Sequence, residues 1–152
     1  GFDKGSGTKE DPFQITSGAH LALLSDAINY GVDGEYVDLG GLYFKVMNDI
    51  DMNGVPFEPI GGEIDSSYFS SNFDGNGKTL NMTVGGDNYV IMTNGGTIKN
   101  VTIDKGFRGV VVMSANQTVK LENVVCSGDV CYSSRSAACR HSLYPRYVTR
   151  VW

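Results

Sequence analysis

A chain of 152 residues with 41% apolar residues can bury about two-thirds of the surface its unfolded form exposes, so one principal domain is expected. Seventeen acids against 12 bases give a formal charge of −5 and a pI near 4.8, which argues against nucleic acid as a partner. Twenty glycines against four prolines suit a turn-rich β protein, and no apolar run approaches the ~20 residues of a membrane span.

The chain starts at Gly1, and no signal peptide is visible, as in a processed precursor or a trimmed chain. Polar turn residues lead into a first short strand over 13–15. The segment "TSGAHLALLSDAINYG" predicts a helix over about 17–30. Thr16 or Ser17 serves as N-cap, Leu21, Leu24 and Ile28 recur at helical spacing, and Gly31 supplies the left-handed stop. Such a stripe needs a surface to cover, and the open end of a β core would suit it. His20, in the first turn with no partner evident, reads as a surface residue.

After a Gly/Asp-rich loop, "LYFKVMNDIDMNG" alternates with period two. Phe44, Val46, Ile50 and Met52 share one face, and Tyr43, Lys45, Asp49 and Asp51 the other. Pro56 and Pro59 then break the pattern into a loop or edge segment. From residue 73 onward the chain repeats itself. Aligning on asparagines places Asn81, Asn100 and Asn123 in register, followed by Met82, Val101 and Val124 and then by Val84, Ile103 and Cys126. The runs "YVIM" at 89–92 and "VVVM" at 110–113 add a second repeating strand, aligned on Met92 and Met113. Self-similarity at about 20 residues with strand grammar predicts a β-solenoid with a stack of asparagines at a bend. The same alignment stacks Thr83 on Thr102.

"GSGTKEDPFQIT", the helix, "YFKVMNDIDMNG", "FEPIGG", "NFDGNGKTLNMTV" and "NGGTIKNVTI" occur in this order. The order resembles the N-terminal part of bacterial secreted or surface-anchored right-handed β-helix proteins with GLUG-type repeats, over residues 5–130. The resemblance implies an all-β fold, a short right-handed parallel β-helix with an N-terminal capping α-helix and coils over about 43–130. It also implies an extracellular or cell-surface location and an adhesin-like role, with glycans or host or cell-surface components as partners. The glycine-leucine-x-glycine motif that names these repeats is absent, "YVIM" and "VVVM" standing in its place. About three coils are present where such relatives usually continue, as in an N-terminal fragment, and an uncovered last coil invites edge-to-edge self-association.

Composition breaks near residue 131. Residues 1–130 carry all 17 acids and form the β-helix domain, whereas 131–152 hold four of the five arginines and no acid. This atypical basic tail admits three readings: a disordered or loosely docked terminus, a frameshifted or read-through end, or a genuine basic arm. Cys126, Cys131 and Cys139 match neither a zinc nor a redox spacing, and their odd number cannot pair fully within one chain.

Candidate chemistry is sparse. "DIDMNG" puts Asp49, Asp51, Asn53 and Gly54 at the opening positions of an EF-hand-like loop, but Ile60 stands where a bidentate Glu is needed, so a hydrated strand end is the reading. Asp49, Asp51, Asp74 and Asp104 are the carboxylates a β-helical polysaccharide lyase or glycoside hydrolase could use, with Lys78, Lys99 and Lys105 scattered around them. Asn81, Asn100 and Asn116 fit the glycosylation pattern, and the first two, on the predicted asparagine stack, are read as strand grammar. Tyr30, Tyr36, Tyr68, Phe69 and Tyr89 form a loop-side aromatic set suited to sugar contact. No residue is assigned a catalytic, cofactor-binding or metal-binding role. The expectation is a non-catalytic stalk or carbohydrate-contacting module, with a fragment of a β-helical polysaccharide-active enzyme as the alternative.

Overall fold

Phe13, Phe44, Phe73, Ile98 and Leu121 stand at successive register positions of neighbouring parallel strands and form the central apolar column. The computed structural model describes residues 2–62, 67–82, 89–104, 108–113, 119–127, 129–131 and 146–151. It is mostly β, with parallel strands in two sheets and one helix among the described residues. The elements in chain order are β1 (Phe13–Ile15), α1 (Gly18–Tyr30), β2 (Tyr43–Val46), β3 (Ile50–Asp51), β4 (Asn72–Asn81), β5 (Tyr89–Thr93), β6 (Gly96–Asp104), β7 (Arg108–Val112), β8 (Val119–Cys126), β9 (Asp129–Cys131) and β10 (Arg146–Val151). The larger sheet runs β1-β2-β4-β6-β8-β10, with β3 paired to β4, and the smaller runs β5-β7-β9.

The period-two pattern explains which side faces in. Phe44, Val46, Ile50 and Met52 are all buried, and Tyr43, Lys45, Asp49 and Asp51 lie on the outer side. A second inward column runs Ile50, Leu80, Ile103 and Cys126. In the smaller sheet, Val110, Val111 and Val112 are buried in succession, as expected of a short strand covered on both faces.

The register differs from the one that aligning asparagines predicts. Asn81 pairs with Asp51 and Asp104, and the residue matching Asn100 and Asn123 is Asn76. These three share the left-handed region, with φ of 54, 55 and 56°. Between Asp74↔Lys99 and Lys78↔Val101, β4 carries Gly75, Asn76 and Gly77 where β6 carries Asn100 alone. This insertion shifts every later residue of β4 and explains the misalignment. Gly75 lies so close to β6 that a Cβ would fall 2.4 Å from that of Val101, so no side chain fits there. Val101 and Val124 do pair, as do Ile103 and Cys126, whereas Thr102 meets Thr79 rather than Thr83. Met92 pairs with Val111 rather than Met113. Thr83 and Val84 lie outside the described residues.

Helix α1 begins at Ser17, whose side chain accepts from the His20 amide at 3.3 Å, and ends at Gly31, whose N–H donates to Ala27 O at 3.0 Å. Leu21 and Leu24 are fully buried and Ile28 packs partly against the core. His20 is not a free surface residue. Its Nδ1 accepts from the Thr16 amide at 3.1 Å, its Nε2 lies 3.7 Å from Asp3, and its ring meets the edge of Phe2. No helix of the described residues is long and apolar enough to cross a membrane.

Within the atypical tail, β10 pairs antiparallel with β8, Val148 opposite Val124, and so occupies the edge that β8 would otherwise present. Cys131 lies in β9 opposite Val111, and Cys139 and Asn116 lie outside the described residues.

Candidate functional site

The segment that follows α1 is held in a tight reversal. Asp33 and Gly34 both take positive φ, and Val32 and Glu35 exchange N–H···O bonds at 2.9 and 3.1 Å, the pattern of a two-residue hairpin turn. Tyr36 emerges directly from this turn, 81% exposed. Asp38 then folds back on itself, its Oδ1 accepting from the Gly40 amide at 2.8 Å, and Ser71 Oγ donates to Leu39 O at 2.5 Å. These bonds set the loop against the segment 67–71.

In that segment alternation again decides direction. Phe69 is fully buried, edge-on to Phe73 at 6.3 Å, while Tyr68 and Ser70 turn outward. The result is a cavity of about 250 Å³ in which Tyr36, Tyr68, Asp38, Ser70 and Asn94 meet over Ile28 of α1. Asn94 Oδ1 is buried with no hydrogen-bond partner among the described residues, and Asp38 keeps acceptor capacity beyond its one backbone bond. The cavity therefore offers ring surface together with the Asp38 carboxylate as a hydrogen-bond acceptor.

Of the five aromatics expected to face solvent, the structure brings two together. Phe69 belongs to the core, Tyr89 is half-buried with its hydroxyl on Gly61 O at 2.6 Å, and Tyr30 is exposed with its hydroxyl on the Glu58 carboxylate. Asp38 and Asn94 were not readable as site residues, because nothing in their local sequence signals that residues 38, 68 and 94 meet.

A second concavity, about 410 Å³, lies along the outer face of the larger sheet. Its floor is a row of register neighbours, Lys45, Asp74, Lys99 and Glu122. Beside it runs a second row, Tyr43, Asn72, Thr97 and Lys120. Lys120 and Glu122 form an ion pair at 3.2 Å. Lys99 is thus not scattered but stands opposite Asp74, whereas Lys78 stands opposite Val101 and Lys105 lies outside the described residues.

The other expected acids have structural employment. Asp49 Oδ1 accepts from the Thr79 amide at 2.9 Å and Asp51 Oδ1 from the Asn53 amide at 3.0 Å. Asp104 lies beside Asn81 in register, away from Asp74. Among the described residues no three His, Cys, Asp or Glu side chains come together as a metal site. Cys126 is buried, and burial pushes its thiol up to about 12, which removes it as a nucleophile. Comparison with family models, with curated proteins and with solved structures gives no significant match.

Proposed function

We propose that the chain is a non-catalytic, glycan-contacting module: a short right-handed parallel β-helix with an N-terminal capping helix, from an extracellular or cell-surface bacterial protein of the adhesin-like, GLUG-repeat kind. The β-helix reading is supported by strand alternation, with β4, β6 and β8 mutually parallel in one sheet and β5, β7 and β9, which follow them in turn, in the other. Crossovers between parallel strands of one sheet are right-handed in about 98% of cases.

The observation that carries glycan contact is the meeting of Tyr36 and Tyr68 around the polar cavity of Asp38 and Asn94. A tyrosine ring offers a flat apolar face to the C–H side of a sugar, and a carboxylate such as that of Asp38 accepts from its hydroxyls. At about 250 Å³ the cavity is smaller than most drug-sized sites, which suits a single sugar unit or a chain end. A glycan-array screen of the full chain is expected to retain at least one glycan class. Tyr36→Ala and Tyr68→Ala are each expected to weaken that binding about tenfold, the loss of one stacking contact. Binding untouched by both substitutions, or no binding at all, would sink the assignment.

The enzymatic alternative is favoured by one observation, Asp74 standing in register between Lys45 and Lys99 on a trough floor. Acid and base side by side are what proton abstraction from a uronate would use. Incubation with uronate polysaccharides, followed by absorbance of unsaturated products, separates the readings: product release supports the enzyme, and none supports the binding module.

A further inference from the structure

The trough on the larger sheet carries a charge order that is its own complement. Read from β2 to β8, the floor is Lys45, Asp74, Lys99, Glu122. A second copy laid face to face, related by a two-fold axis parallel to the strands, presents the same row in reverse. Each Lys45 then faces Glu122 and each Asp74 faces Lys99, four opposite-charge pairs and no like-charge pair within the row, with Lys9 and Glu10 bordering the same concavity. The neighbouring row obeys the same operation: Tyr43 meets Lys120, an aromatic face and a cation, and Asn72 meets Thr97, an amide and a hydroxyl.

We propose that this face is an isologous dimer interface between two copies of the chain. Regular parallel pairing through the floor residues sets the charges at even intervals. With strands about 4.8 Å apart, the row from β2 to β8 is roughly 15 Å long. That length is short of a standard interface, so the dimer is weak, concentration-dependent and salt-sensitive. The face is separate from the Tyr36–Tyr68 cavity, and the dimer does not depend on the glycan reading.

The experiment is sedimentation velocity on the full chain from micromolar to millimolar concentration, at about 0.05 M and about 1 M salt. The expected result is a monomer–dimer equilibrium at low salt that shifts toward monomer at high salt. Asp74→Lys and Lys99→Asp are each expected to weaken self-association at least about tenfold. An equimolar mixture of the two variants is expected to recover the dimer, because each altered charge then faces its opposite across the interface. Repulsion within one chain would not be relieved by mixing, so recovery separates an interface from mere destabilisation, and melting curves of both variants check that they fold. Wild-type protein that stays monomeric throughout, single variants that still dimerise, or a mixture that does not recover would each overturn the proposal. A monomer that instead binds a soluble uronate oligosaccharide through Lys45 and Lys99 would also overturn it, and would assign the trough to a glycan.

Discussion

Cys126 shows how much a single buried group can couple stability to pH. Its thiol lies in the inward column below Ile103, and burial raises it from 9.0 to about 12. Below pH 9 both folded and unfolded chains keep the proton, and the contribution of this residue is fully present. Between about 9 and about 12 the unfolded chain releases the proton while the folded chain retains it, so unfolding becomes easier by about 1.4 kcal/mol per pH unit. Urea denaturation between about pH 8 and about pH 10.5 is therefore expected to show wild-type stability falling about 2 kcal/mol more than that of Cys126→Ala. Parallel pH profiles would mean that the thiol reaches water in the folded state. The burial of Cys126 was legible from its place after Val124 in the repeat, because strand alternation alone sends both inward. The asparagine ladder was not legible in full. Asn123 Nδ2 donates to Asn100 Oδ1 at 2.8 Å, as stacking predicts, but the third asparagine that shares their backbone geometry is Asn76 rather than Asn81. Both lie in β4, and Asn81 has the apolar successor that marks the other two. Backbone conformation decided the matter: Asn76, between two glycines, takes the left-handed geometry that Asn100 and Asn123 share.

At the scale of the element, α1 was predictable in extent and not in attachment. Its cap, stripe and glycine stop are local features, and Leu21 and Leu24 are buried as their spacing requires. The buried face also carries Ser25 and Asn29, and these two polar residues tie the helix to the chain some 30 residues on. Asn29 Nδ2 donates to Pro59 O at 2.8 Å and to Ser25 Oγ at 3.2 Å, and the Gly61 amide donates to Asn29 Oδ1 at 2.7 Å. Ser25 Oγ donates to Glu58 O at 2.5 Å. The partners are mostly main-chain atoms, which no residue pattern announces, so a sequence reading sees two polar residues on an apolar stripe and nothing more. Asn29→Ala leaves the Gly61 amide and the Pro59 carbonyl without these bonds at a buried junction. The expected loss is about 2–3 kcal/mol in thermal or urea unfolding. It should come with faster hydrogen exchange at the Gly61 amide, while amides in the middle of β6 keep their protection relative to global stability. Unchanged exchange at Gly61 would show that the helix is held by Leu21 and Leu24 alone.

For the whole molecule, the question is how stacked parallel strands come to an end. Each strand in such a sheet leaves one row of N–H and C=O groups for the next, so the last strand is a template for another chain. At the N-terminal side the row is met within the chain, for the Gln14 amide donates to Lys4 O at 3.1 Å. At the other side β10 covers β8, and it does so antiparallel, whereas every other strand pairing among the described elements is parallel. The composition break near residue 131 thus coincides with a change in pairing direction. A strand that runs against the stack cannot present the parallel register that a further rung would continue, although its own outer edge remains a hydrogen-bonding row. If covering β8 is what keeps the molecule from growing, a chain ending at Cys131, which keeps β9 and loses β10, should behave differently from the full one. It is expected to form assemblies that enlarge with time and concentration in sedimentation and light scattering, and whose growth is not reversed by high salt. Salt resistance separates this from the charge-based dimer, because main-chain pairing of exposed edges is not screened as ion pairs are. A truncated chain that stays as small as the full one would show that the β8 edge is harmless without β10, and that the tail serves some purpose other than closure.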